Sequence, residues 1–173
     1  MNSNEKNRFN EKNKFIVVVW SAARSFERQI MDEIGARFNI LRTFEVAWPR
    51  RHFTRNLAAF YGWKSWFCWW NKARKCGNGP FLVIEIEDPA PLWQPLHDTS
   101  GHLLVCDKNI YDLKILLRHL TRHSNRIHAS VTPEETSHQL AVLESKDDPI
   151  PFRPMLYPNQ ANGAASAPEG GTP

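Results

Sequence analysis

The chain has 173 residues, with 22 Lys and Arg against 18 Asp and Glu and a formal net charge of +4. This length suits one domain with tails, and the small positive charge favours an anionic partner such as a nucleotide only weakly. Three cysteines, Cys68, Cys76 and Cys106, form no C-x-x-C and argue against a disulfide framework. No apolar run approaches the roughly 20 residues that span a bilayer, so a cytoplasmic protein without a membrane partner is expected.

Residues 1–13 are almost all polar and read as a disordered tail. Phe15 to Trp20 is a continuous apolar, largely β-branched run, the pattern of a buried strand. Ser25 to Phe38 reads as a helix, because Phe26, Ile30, Ile34 and Phe38 recur every four residues. Ile40 to Trp48 reads as a second strand, stopped by Pro49. Asn56 to Tyr61 looks helical, and Trp63, Trp66, Phe67 and Trp70 continue at helical spacing with Trp69 beside them. Such an aromatic stripe is usually packing or a subunit contact. The sharper reading is a stacking surface for a base.

Gly77-Asn78-Gly79-Pro80 is strong turn chemistry, and Phe81 to Ile86 follows as a third strand. Glu87-Asp88 ends it, read as a polar turn in preference to a magnesium or general-base pair. A proline-bearing loop runs to about Gly101, and Leu103 to Cys106 reads as a short edge strand. Asn109 to Thr121 reads as a helix capped by Asn109, with Ile110, Leu113, Leu117 and Leu120 on its buried face. Lys114, Arg118 and Arg122 lie four apart on another face, a row able to hold phosphates if it points at a site. Arg126 to Val131 is the last strand. Thr132-Pro133-Glu134-Glu135 is a capping box that opens a helix to about Leu143. Residues 145–173, rich in Pro, Gly and Ala, read as a second disordered tail, leaving a domain over 14–144. The order of elements predicts an α+β sandwich, a ferredoxin-like βαββαβ sheet with added helices. An open doubly wound sheet is the alternative.

The run Asn125-Arg126-Ile127-His128-Ala129-Ser130 sets a histidine at the end of the last strand, just before that capped helix. It resembles the active-site signature of nucleoside diphosphate kinases, Asn-x-x-His-Gly/Ala-Ser-Asp. The similarity continues through the first strand, the first helix, Phe60-Tyr61 in place of a His-Tyr pair, and Gly79-Pro80 before a strand. The resemblance implies a phosphotransferase that moves the γ-phosphate of ATP or another nucleoside triphosphate, with Mg²⁺, through phospho-His128. It also implies subunits that assemble into a homo-oligomer. Asn125, Ser130, Lys114, Arg118 and Thr121 would then meet phosphates, Tyr61 would contact a phosphate, and Trp69 would stack on the base.

The chain departs from that pattern at several charged positions. Val19-Trp20-Ser21 stands where the family has Lys-Pro-Asp. Val131 replaces the Asp after His-Ala-Ser, and Gln139 replaces the ring-orienting glutamate. Only three residues separate Thr121 from Asn125, where the family has a long loop. A catalytically reduced nucleotide- or protein-binding module on the same fold is therefore the alternative function. Two further readings are weaker. His119 and His123 have the spacing of a zinc-chelating pair, with His138 not far away in sequence, but no carboxylate or cysteine is placed with them. Nucleic-acid binding through the tryptophans is disfavoured by the small net charge.

Overall fold

The computed structural model describes residues 13–62, 69–97 and 103–144. The two tails (Asn13 excepted), residues 98–102 and residues 63–68 lie outside them, and with the last go Trp63, Trp66, Phe67 and Cys68. Strand β1 (Lys14–Val19) leads into a 3-10 turn (Ser21–Phe26) and helix α1 (Glu27–Gly35), followed by β2 (Asn39–Val46). Helices α2 (Arg50–Tyr61) and α3 (Trp69–Cys76) precede β3 (Phe81–Glu87). A hairpin of β4 (Trp93–His97) and β5 (Leu103–Asp107) comes next. Helix α4 (Lys108–Leu120), strand β6 (Ile127–Ala129) and helix α5 (Pro133–Glu144) complete the order.

The main sheet runs β2-β3-β1-β6, and every neighbouring pair is antiparallel. That is the ferredoxin-like βαββαβ arrangement, with β1 and β3 central, and it removes the doubly wound alternative, which needs a largely parallel sheet. Helices cover both faces. Phe15, Val17 and Val19 of β1 pack with Ile30 and Ile34 of α1 and Ile110, Leu113 and Leu117 of α4. Ile16, Val18 and Trp20 point to the other face, against Phe53, Leu57 and Phe60 of α2, Trp69 and Ala73 of α3, and Leu143 of α5. A strand buried on both sides needs apolar residues at every position rather than at alternate ones. This explains the unbroken run from Phe15 to Trp20, all fully buried.

Several details differ from the sequence reading for identifiable reasons. Helix α1 begins two residues later than expected, because Ser21 to Phe26 winds as a tighter 3-10 turn. Helix α2 starts at Arg50, directly after Pro49, well before Asn56. The proline-bearing loop contains β4, which pairs with β5 in a separate two-stranded sheet rather than at the edge of the main one. The cap of α4 is Asp107, whose Oδ1 accepts the Asn109 N–H at 2.9 Å. The glycine turn is confirmed in kind. Gly77 has φ +77°, and a Cβ there would collide with the Ser21 hydroxyl, which accepts the Gly79 N–H at 3.1 Å.

Candidate functional site

Strand β6 pairs with the central strand through Val17–Ala129, Val18–His128 and Val19–Ile127. Ile127 and Ala129 point to the face covered by α1 and α4. Alternation therefore turns His128 to the opposite face, towards α2 and α5. There the Phe60 and Tyr61 rings stand edge-on to the imidazole, at centroid distances of 5.3 and 5.0 Å. The histidine is 2% exposed. Burial holds its pKa well below the usual histidine range, and the nearby Lys114 charge pushes the same way, followed by Lys72 and Arg118. The ring is therefore neutral at pH 7.

A neutral imidazole carries one proton, and the surrounding network fixes where it sits. His128 Nε2 lies 2.9 Å from Gln139 Oε1. Gln139 Nε2 donates to Glu135 Oε1 at 3.2 Å, and Glu135 Oε2 accepts the Val131 N–H at 2.9 Å. A carboxylate only accepts, so the Gln139 amide must turn its NH₂ towards Glu135 and its oxygen towards the histidine. Nε2 then carries the proton and Nδ1 is left with a bare lone pair. Glu135 Oε1 is also only 3.6 Å from His128 Nε2 itself. Helix α5 makes this possible: positions 135 and 139 are one turn apart and share a face. The capping box that starts the helix is present in altered form. Thr132 Oγ1 accepts the Glu135 N–H at 3.1 Å, while the Glu135 side chain reaches one residue beyond the cap.

Three cations lie near the ring. Lys114 and Arg118 come from α4 and Lys72 from α3. Among the described residues, none of the three forms a salt bridge, and the buried Arg118 Nε has no hydrogen-bond partner there. The Lys72 ammonium sits 3.1 Å above the Tyr61 ring and 5.5 Å from the Trp69 ring, where the aromatic faces attract it. Burial pushes Lys72 down to about 8, with the Arg118 and Lys114 charges adding to the effect. Burial lowers Lys114 as well, and Glu135 opposes that shift. Burial raises the pKa of Tyr61 well above its usual value, so its phenol stays protonated.

The remaining residues singled out from sequence take other positions. Ser130 is fully buried. Its Oγ accepts the Ile16 N–H at 2.9 Å and meets Thr136 Oγ1 at 2.8 Å. Thr136 donates its own proton to the Thr132 carbonyl, so the Ser130 proton goes to Thr136. Ser130 thus ties β1 to α5 and has no donor left for a phosphate. Thr121 caps α4, its hydroxyl turned back onto the Leu117 carbonyl at 3.0 Å. Asn125 is half-buried, and its carbonyl accepts the Cys76 thiol proton at 3.1 Å. That thiol is pushed up to about 12 by burial, so it keeps its proton. Trp69 is buried and stacked on Tyr61 at 5.9 Å, so it supports the tyrosine from within. Trp70 is 71% exposed, the most open of the described tryptophans, with Trp93 of β4 also exposed.

The short connection after α4 is closed by its own hydrogen bonds. Arg122 takes φ +56°, and Arg126 Nη1 donates to the Thr121 carbonyl at 3.0 Å. His123 Nδ1 accepts the Asn125 N–H at 3.1 Å, and His138 Nε2 donates to the Ala59 carbonyl at 2.9 Å. Among the described residues no three metal-ligating side chains converge. Asp88 acts as a turn holder, accepting the Ala90 N–H at 2.8 Å and the Asn109 amide at 2.9 Å.

Lys72 and Glu135 are the site residues that sequence reasoning missed. Lys72 sits three residues after Trp69 on the aromatic helix, a spacing that shares a face but does not say which way that face points. Glu135 stands out in the sequence only for its capping role. Its place one turn before Gln139 is the signal that could have found it.

No helix among the described residues is long and apolar enough to cross a membrane. No family model matches the chain, and no curated protein matches it. Among solved structures the chain is similar to an orthorhombic crystal form of the Aquifex aeolicus nucleoside diphosphate kinase. The identity is 14% and the TM-score 0.49, over 76% of this chain and 94% of that one.

Proposed function

We propose that this protein is a nucleoside-diphosphate-kinase-like phosphotransferase in which His128 accepts the terminal phosphate of a nucleoside triphosphate. The observation that carries the reading is the bare Nδ1 of a neutral histidine, set near three cations that form no salt bridge among the described residues. A neutral ring nitrogen is a competent nucleophile, and phosphoryl transfer is catalysed mainly by positioned charge. Nδ1 attacks the γ-phosphorus. An N–P bond forms, the bond to the bridging oxygen breaks, and the nucleoside diphosphate leaves with the electron pair. Transfer to a second diphosphate reverses these steps. Lys72, Lys114 and Arg118 offset charge on the phosphates, and the magnesium ion enters with the triphosphate.

The test is incubation with γ-labelled ATP and Mg²⁺. Acid-labile, base-stable label is expected on the protein, and His128→Ala should abolish it. If no label forms, or if His128→Ala labels equally, the enzyme reading fails. The second reading, a binding module without turnover, draws on the 2% exposure of His128 and on the commitment of Ser130 to the core. It predicts nucleotide binding without label. Self-association of the chain, which the histidine motif's resemblance implies, is proposed with it and is read by sedimentation.

Lys72 supplies a prediction common to both readings. Replacing it with Met should weaken binding of a nucleoside triphosphate about 10- to 100-fold, the loss of one charge-assisted contact of about 1.5–3 kcal/mol. Because this lysine loses its proton at about 8, affinity in the intact protein should fall as pH rises from 7 to 9. Titration calorimetry across that range checks the sign. An unchanged affinity in Lys72→Met would remove the residue from the site.

A further inference from the structure

We infer that Glu135 is a positioning residue that sets the direction of the hydrogen-bond chain from Val131 through Gln139 to His128, and so decides which ring nitrogen is free to react. The proposal rests on the phosphotransfer reading for its consequence, but its geometry is independent of it. The chain is anchored at one end by the Val131 N–H, which must donate, to Glu135 Oε2 at 2.9 Å. The other carboxylate oxygen receives the Gln139 amide at 3.2 Å. The Gln139 oxygen then receives the His128 Nε2 proton at 2.9 Å. Every group points its proton towards the carboxylate, so the polarity of the whole chain originates at Glu135. When Nδ1 takes a phosphoryl group the ring becomes cationic. The carboxylate 3.6 Å from Nε2 offsets that charge.

An amide at position 135 would reverse the chain. Its oxygen must face the Val131 N–H, so its NH₂ would donate to Gln139. The Gln139 amide would turn over and donate to His128 Nε2, which moves the ring proton to Nδ1 and occupies the nucleophile. Exchanging the two side chains, Glu135→Gln with Gln139→Glu, restores the original direction. In that double variant the amide at position 135 accepts from Val131 and donates to the carboxylate at position 139, which accepts from Nε2.

Imidazole nitrogen NMR on ¹⁵N-histidine-labelled protein reads the tautomer directly, with His128→Gln used to assign the signal. The wild-type ring should show the proton on Nε2, Glu135→Gln should show it on Nδ1, and the double exchange should return it to Nε2. Phosphorylation by γ-labelled ATP should fall about 10- to 100-fold in Glu135→Gln and recover in the double exchange. If Glu135→Gln keeps the proton on Nε2, the proposal is overturned whatever the labelling shows. If the tautomer inverts as expected but wild-type protein never labels, the phosphotransfer reading fails and the positioning role of Glu135 stands.

Discussion

Trp20→Ala is expected to destabilise the domain by about 3–5 kcal/mol, the cost of deleting a large buried aromatic side chain. Trp20 directly follows the central strand β1 and is fully buried. Its ring centroid lies 4.6 Å from Phe81, 5.8 Å from Phe60 and 5.9 Å from Trp48. Phe53 and Tyr61 complete the cluster at 6.2 and 6.4 Å. Alanine leaves a hole at the meeting point of β1, β3 and α2 that rigid rings cannot close. A loss of this size is a large fraction of the roughly 5–15 kcal/mol typical of a domain. Urea denaturation should show a much lower midpoint. Trp20→Phe, which keeps most of the volume, should lose much less. The loss should also reach the candidate site, because Tyr61 rests on Trp20 and stands against His128. A midpoint close to wild type would show that the cluster repacks.

Asp107→Asn is expected to stabilise the protein at neutral pH by about 1–2 kcal/mol. Asp107 is fully buried at the start of α4. Burial pushes its carboxyl up to about 6, and the adjacent Asp88 adds to the shift, against the Asn109 and Leu92 N–H donors. A carboxyl whose pKa is higher in the folded than in the unfolded chain favours folding while it is protonated. Its contribution is full below the unfolded value of about 4 and is lost as pH rises through about 6. Asparagine keeps the oxygen that accepts from Asn109 and Leu92 and gives Asp88 an N–H in place of a negative neighbour. Thermal melts at about pH 4.5, 6 and 7.5 should show the variant several degrees higher at the top of that range. The advantage should shrink at the acid end. A variant melting at or below wild type above neutrality would contradict this account.

The sheet was legible because its central strands obey simple rules. Phe15 to Trp20 and Phe81 to Ile84 are continuous apolar runs, as strands covered on both faces must be. The start of α5 was legible because Thr132 and Pro133 carry local capping chemistry. Ile30 and Ile34 also pack against the sheet as their spacing implied, whereas α1 ends at Gly35, short of the expected Phe38, which joins the same core from the turn after the helix. Strand β4 escaped notice because Pro95 sits within it, a residue tolerated in a two-stranded hairpin but a poor sign of one. At the site the histidine motif gave the ring but not its partners. Ser130 is chemically suited to hold a phosphate, yet its position directly after β6 brings it within reach of the Ile16 backbone. Glu135 and Lys72 have the opposite history. Their contacts with Gln139 and Tyr61 depend on how α5 and α3 are rotated against the sheet, which the run of residues along each helix leaves open.

The pairing of β6 with β1 has a consequence for motion. Beyond the three paired residues, the Ser130 N–H is held by the Ile16 carbonyl at 3.0 Å and the Trp20 N–H by the Arg126 carbonyl at 3.1 Å. The histidine backbone is therefore fastened on both sides to the strand at the centre of the sheet. Because β6 is the edge of the sheet, His128 opens by separation of this short strand from β1 rather than by motion of the residue alone. Amide hydrogen exchange at His128 should require the separation of β6 from β1 and should be slower than exchange in the connection after α4. Adjustment to a ligand is left to the long side chains of α3 and α4.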